Sequence, residues 1–234
     1  MMTIKRHDYE TREALAEGLA AGVAAVLAGG IATRGQAVLA VSGGSTPKRL
    51  FQLLSQKQID WEHVTIVLVD ERYVPETHER SNAALVRQNL MRGPAALARL
   101  EPFFEEGFDA RQAAPRIAPR LAVLPRPFDV AILGMGTDGH TASFFPGADR
   151  LAEALNPEGA EPIIAIEAPG AGEPRLTLTL PWLADARLLA LHIEGEEKRA
   201  VLERALEPGP AEDLPVRAIL NASREQPLQV FWAP

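Results

Sequence analysis

Asp138 and His140 stand two positions apart in the stretch Gly134-Met135-Gly136-Thr137-Asp138-Gly139-His140, directly after the apolar run Val130 to Leu133. Imidazole is the side chain whose unperturbed pKa lies nearest neutrality. A carboxylate beside it fixes its tautomer and stabilises its charged form. The three glycines let the backbone bend sharply at the end of a buried strand and lie close to a ligand. This is the pattern of an acid–base pair. The bland alternative is a loop histidine without a role, and the glycine-rich strand-end setting weighs against it.

Two further polar motifs also follow apolar runs. Ser42-Gly43-Gly44-Ser45-Thr46-Pro47 comes after Ala37 to Val41. Paired glycines there let backbone N–H groups converge on an anion, and a following helix adds its positive dipole end. The alternative is a tight turn with Ser45 or Thr46 as N-cap. No Gly-Lys-Ser/Thr closes the motif, so it is not a P-loop. Asp70-Glu71-Arg72 follows Val64 to Val69. Its carboxylate can position a water or a hydroxyl, and its guanidinium can bind phosphate or stabilise an oxyanion. A solvated loop with a surface ion pair is an equal reading of that triplet alone. His7, His63 and His78 lack such settings, and His192 falls in an apolar run as a core or sheet-edge residue. No His/Asp/Glu set has metal-ligand spacing, so no metal is expected. Arg175 and Lys198, taken singly, read as surface cations.

The elements that must hold these groups alternate. Helices are expected over 9–28, ended by Gly29-Gly30, from Pro47 onward, and over 80–91, 109–122, 196–206 and 215–220. Strands are expected at 37–41, 64–69, near 101–104, and at 130–133, 163–166, 176–180, 188–193 and 230–232, with a loop at 167–175. This order predicts an α/β fold: one domain over residues 1–234, with a mostly parallel Rossmann-like sheet and helices on both faces. Such sheets bind ligands beyond the carboxyl ends of their strands, where all three motifs fall.

Composition narrows the function. The chain has 234 residues, 47% hydrophobic, with formal net charge −7 and no cysteine. Disorder, disulfides and thiolate chemistry are excluded. The acidic balance argues against a nucleic-acid partner, though not against a small anion held by a few local cations. The polar N-terminus has no apolar signal region, and no apolar run approaches the ~20 residues of a membrane span. A cytoplasmic protein with no membrane partner is expected.

Four segments together resemble a known family: VSGGSTPKRLF, VDERYVPETHERSN, FDVAILGMGTDGHTASFFPG and RLTLTLPWLADARLLALHIEGEEKRAVLERAL. They are similar to the bacterial 6-phosphogluconolactonases, within the larger group that also holds glucosamine-6-phosphate deaminases. The resemblance implies hydrolysis of 6-phosphogluconolactone to 6-phosphogluconate in the pentose phosphate pathway, without metal or organic cofactor. By position it implies His140 as the acid–base group with Asp138 beside it, and Asp70 and Arg72 as pocket-lining residues. Gly43, Gly44, Ser45 and Thr46 match the phosphate-side loop, with Ser42 at its start. Arg175 and Lys198 match cations near the phosphate. The deaminases carry a carboxylate five residues after the histidine, where this chain has Phe145, which cannot transfer a proton.

The implied chemistry has His140 activating water toward the lactone carbonyl. Arg72 or backbone N–H groups of the glycine loop would meet the oxyanion. Direct attack by Ser42 or Ser45 lacks a nucleophile elbow. The partner is a small sugar-phosphate lactone, and the family suggests a monomer, with a weak homodimer as the other expectation. The rivals are a glucosamine-6-phosphate deaminase or isomerase and a non-catalytic sugar-phosphate sensor.

Overall fold

Residues 4–234 are described by a computed structural model. In chain order they form β1 (Ile4–Asp8), α1 (Arg12–Arg34), β2 (Ala37–Val41), α2 (Lys48–Ser55), β3 (Val64–Leu68), β4 (Asp70–Arg72), α3 (Asn82–Asn89), β5 (Arg99–Glu101), α4 (Ala110–Ala122), β6 (Val130–Leu133), α5 (Leu151–Ala154), β7 (Ile163–Ile166), β8 (Arg175–Leu178), α6 (Leu180–Ala184), β9 (Leu188–Glu194), α7 (Glu196–Leu206), α8 (Val216–Asn221) and β10 (Leu228–Ala233).

Seven strands make one sheet in the order β1-β10-β9-β6-β2-β3-β5, and every pairing in it is parallel. Every residue of β2 and β6 is buried. Side chains alternate between the faces of a strand, so burial at every position means that both faces are covered. The fold is therefore α/β with a mostly parallel sheet. The chain goes from β2 outward to β3, then returns to place β6 on the other side of β2. Strand order reverses there, and a crevice opens between the departing loops. The carboxyl ends of β9, β6, β2 and β3 stand side by side at this reversal.

Several elements depart from the sequence reading. Helix α1 runs through Gly29-Gly30 and stops at Gly35, whose φ of 74° suits a left-handed cap, its N–H bonding Ile31 O. Gly30 stays glycine for packing: a Cβ there would lie 2.2 Å from Asp129 Oδ1. Contrary to expectation, this 23-residue helix is long and apolar enough to cross a bilayer by length and composition. Leu15, Leu19, Val23 and Leu27 on it are fully buried, as befits a core helix of a globular protein.

The second difference matters more for the site. Asp70–Arg72 is a strand, not a loop, and with β7 and β8 it makes a separate three-stranded antiparallel sheet. Asp70 pairs with Thr177, and Arg72 pairs with Arg175. Strand β1, the short helices α5 and α6 and the 3-10 turns over Trp61–His63 and Gly93–Leu97 are further elements without a clear sequence signal. The strand near 101–104 begins earlier, at Arg99.

Candidate functional site

A cleft of about 350 Å³ opens over the carboxyl ends of the four central strands. Its walls carry Ser42 to Pro47, Asp70, Arg72, Gly134, Gly136, His140, Arg175 and Lys198. Every predicted site residue except Asp138 thus reaches one hollow. Asp138 is exposed and is joined to the cleft by its contact with His140.

His140 is held by its own loop. Its backbone C=O accepts from Gly136 N–H (2.9 Å), closing a tight turn. Its Nδ1 is 2.5 Å from Asp138 Oδ1, which also accepts the His140 backbone N–H at 3.1 Å. The bond to His140 holds the Asp138 carboxyl below its usual range. An ionised acceptor at Nδ1 puts the ring proton there and leaves Nε2 with a free lone pair. Gly136 makes room for this: a Cβ would sit 2.3 Å from the imidazole and 2.5 Å from Asp138 Oδ1. The second face of the ring meets Phe145, centroid to centroid 4.3 Å at 33°.

Asp70 and Arg72 face the cleft, while Glu71 between them faces away, as the period of a strand requires. Asp70 Oδ2 accepts from Ser143 Oγ at 2.6 Å and lies 3.9 Å from Arg175 Nη1. Arg175 is buried, with Nη2 donating to Ala171 O at 2.9 Å. Burial pushes its pKa down, and the Asp70 carboxylate opposes that. Arg72 donates from Nη1 to Arg80 O at 2.7 Å. The Nε groups of both Arg72 and Arg175 have no protein partner. Arg72 and Arg175 are register partners on β4 and β8, so their side chains leave the same face of the small sheet as one guanidinium wall.

Glu71 performs a different task. It accepts the N–H groups of Asn82 (2.7 Å) and Ala83 (2.8 Å) and the Ser81 hydroxyl (3.0 Å), capping helix α3. Burial raises its pKa to about 6 despite those bonds. The same helix start supplies Asn82, whose Nδ2 donates to Asp70 O at 2.9 Å.

Helix α2 has Pro47 as its N-cap, and neither Ser45 nor Thr46 caps it through its side chain. Ser42 spends its hydroxyl on Ile132 O at 2.9 Å, stitching β2 to β6. Gly43 gives space to Asn82, and Gly44 has a φ of 90°. Lys198, in the first turn of α7, lines the cleft; burial pushes its pKa down, opposed by Glu194 and Glu197. Among the described residues no carboxylate lies within ion-pairing distance of it.

Three cleft residues have no separate signal in the sequence reading. Arg80 and Asn82 lie within one family-like segment, but nothing in their local spacing aims them at the cleft. His192 lies on the central strand β9, not at an edge. It is 2% exposed, lines the cleft and has Nε2 3.3 Å from Glu194 Oε1.

Comparison with known proteins agrees with this geometry. Residues 10–232 match the family described as glucosamine-6-phosphate isomerases/6-phosphogluconolactonase. The chain is 52% identical over 233 residues to the 6-phosphogluconolactonase of Rhizobium meliloti, covering 100% of both. It is 43% identical over 219 residues to that of Pseudomonas aeruginosa, covering 94% of this chain and 90% of the other. The fold is similar to the crystal structure of a 6-phosphogluconolactonase from Shewanella baltica, with TM-score 0.94, 40% identity and coverage of 100% and 98%.

Proposed function

This chain belongs to the glucosamine-6-phosphate isomerase/6-phosphogluconolactonase family, and we propose that it hydrolyses 6-phospho-D-glucono-1,5-lactone to 6-phosphogluconate by His140-assisted attack of water. The observation that carries this reading is the His140 ring. Asp138 holds its Nδ1 at 2.5 Å, and the imidazole borders a cleft shared with an anion-type loop, three arginines and a lysine.

The phosphate docks on the Gly43–Thr46 loop with Lys198 and Arg175, far from the reacting carbonyl, and supplies positioning energy. Nε2 of His140 takes a proton from a water as that oxygen bonds to lactone C1. The Asp138 carboxylate stabilises the imidazolium that forms. Arg72, in the guanidinium wall, meets the carbonyl oxygen as its charge grows. The tetrahedral intermediate then collapses, the C1–O5 bond breaks, and Nε2–H protonates the departing ring oxygen. Asp70, bonded to Ser143 and facing Arg175, keeps the wall in place. Each step uses groups of this chain, with no metal or organic cofactor. We propose one domain acting as a monomer in the cytoplasm, in the second step of the pentose phosphate pathway.

The deaminase alternative is disfavoured by Phe145. It stands where that branch carries its extra carboxylate, with the His140 ring tilted against it.

The test is the rate of acid release from freshly made 6-phosphogluconolactone with the spontaneous rate subtracted. Acceleration by the purified protein is expected. No acceleration, with ammonia released from glucosamine 6-phosphate, would move the chain to the other branch. Phosphosugar binding without turnover of either would make it a sensor.

A further inference from the structure

Phe145 touches two functional groups of the cleft. One contact is with the His140 ring, at a centroid distance of 4.3 Å and an interplanar angle of 33°. The other is with the Arg175 guanidinium, whose central carbon lies 5.5 Å from the phenyl centroid. Arg175 belongs to the guanidinium wall and is itself tied to Ala171 O. The phenyl group thus contacts both a fixed cation and an imidazole that, in the proposed reaction, becomes a cation once per turnover.

We infer that Phe145 is a positioning residue for the reaction: its ring holds the His140 imidazole in the orientation that Asp138 selects. This rests on the role proposed above for His140.

The physical reasoning has two parts. Asp138 fixes one ring nitrogen, but its own side chain is half exposed, so carboxylate and imidazole can still shift together. A ring packed against its face removes that freedom, so Nε2 keeps one direction into the cleft. The face of a phenyl group also carries negative charge density, which attracts a cation lying over it. Arg175 and protonated His140 both lie within reach of that density. An aliphatic side chain fills the space without supplying either the flat surface or the quadrupole.

The experiment compares Phe145→Leu, Phe145→Tyr and the unchanged protein. For Phe145→Leu we expect kcat on 6-phosphogluconolactone to fall about tenfold, from the energy of one aromatic–cation contact, with KM within about twofold. Phe145→Tyr, which keeps the ring, should restore kcat to within about threefold of the unchanged protein. A filler role alone predicts that Leu and Tyr alter kcat equally, or that KM rises with the fall in kcat, and either result overturns the inference.

A second readout does not depend on turnover. The Nδ1–H proton of His140, deshielded by its hydrogen bond to Asp138, should give a downfield resonance in the unchanged protein and in Phe145→Tyr, broadened by exchange in Phe145→Leu. An unbroadened resonance in Phe145→Leu refutes the positioning role. A sharp resonance in the unchanged protein without lactone hydrolysis would instead count against the proposed activity.

Discussion

Gly43→Ala tests how the loops of the cleft are joined. A Cβ at residue 43 would lie 1.8 Å from Asn82 Oδ1, 2.2 Å from its Cγ and 2.6 Å from its Nδ2, where ordinary contact begins near 3.4 Å. Asn82 must therefore retreat by about 1.6 Å, and it has little room to do so, being 2% exposed. Its Nδ2 also donates to Asp70 O, so retreat stretches the bond that ties α3 to β4. Overpacking of this kind costs about 1–3 kcal/mol, and a buried polar group left unsatisfied costs a further 1–3 kcal/mol or so. With partial relaxation, a loss of about 2–4 kcal/mol is expected. Urea unfolding of four proteins measures it: unchanged, Gly43→Ala, Asn82→Ala and the double variant. In the Asn82→Ala background the clash disappears, so Gly43→Ala should there change stability by under about 0.5 kcal/mol. An equal loss in both backgrounds, or no loss in the first, would refute the reasoning. Activity should follow, because the displaced Asn82 moves the strand that carries Asp70 and Arg72.

His140→Ala should lower kcat roughly 10²–10⁴-fold with folding intact, the usual worth of a general base; near-normal kcat at saturating lactone removes His140 from the mechanism. Lys198→Ala should raise KM about 10–100-fold, as loss of a charge-assisted bond to phosphate does, while a fall confined to kcat would contradict the anchor role. Glu71 makes a pH prediction. Its folded pKa of about 6 lies above the ordinary 4.5, so its contribution to stability is fully present below pH 4.5 and is lost as pH rises through 6. The shift corresponds to about 2 kcal/mol. Relative to Glu71→Gln, the unchanged protein should therefore gain about that much stability between pH 7 and pH 4.5 in denaturant unfolding, and a flat difference would show that the carboxyl is not perturbed.

What the sequence reveals depends on whether a feature is decided locally. The Val-, Ala- and Leu-rich runs of β2 and β6 are legible because a parallel strand buried on both faces needs apolar residues at every position. The His140 turn is legible because its glycines and its Asp138 partner are neighbours in the chain. Helix α1 misleads because Gly29 and Gly30 resemble a stop, whereas its length is settled by packing of Gly30 against Asp129, on another element. The Asp70–Arg72 strand is hidden for a similar reason. A charged triplet has no strand pattern of its own, and only its pairing with β8 makes it one. Glu71 reads as part of a site motif, yet it caps a helix that begins eleven residues later, a contact with no periodicity to announce it. Arg80, Asn82 and His192 reach the cleft only through tertiary packing. Most of the cleft residues were therefore readable, but the wiring that holds Asp70 and Arg72 in place was not.

The four strands beneath the cleft stand in space as β9, β6, β2, β3, but the ribosome makes them in a different order. The serine–glycine loop is made with β2 and the Asp70–Arg72 triplet just after β3, but the partners that hold them, on β6 and β8, come much later. The histidine turn arrives with β6, and the lysine only once β9 has inserted against β6. A nascent or truncated chain therefore has no intermediate grade of catalyst, and turnover appears late, together with the last long-range pairings. Because such pairings form slowly, the return of lactonase rate during refolding should lag behind the return of helix signal and serve as a clock for completion of the sheet.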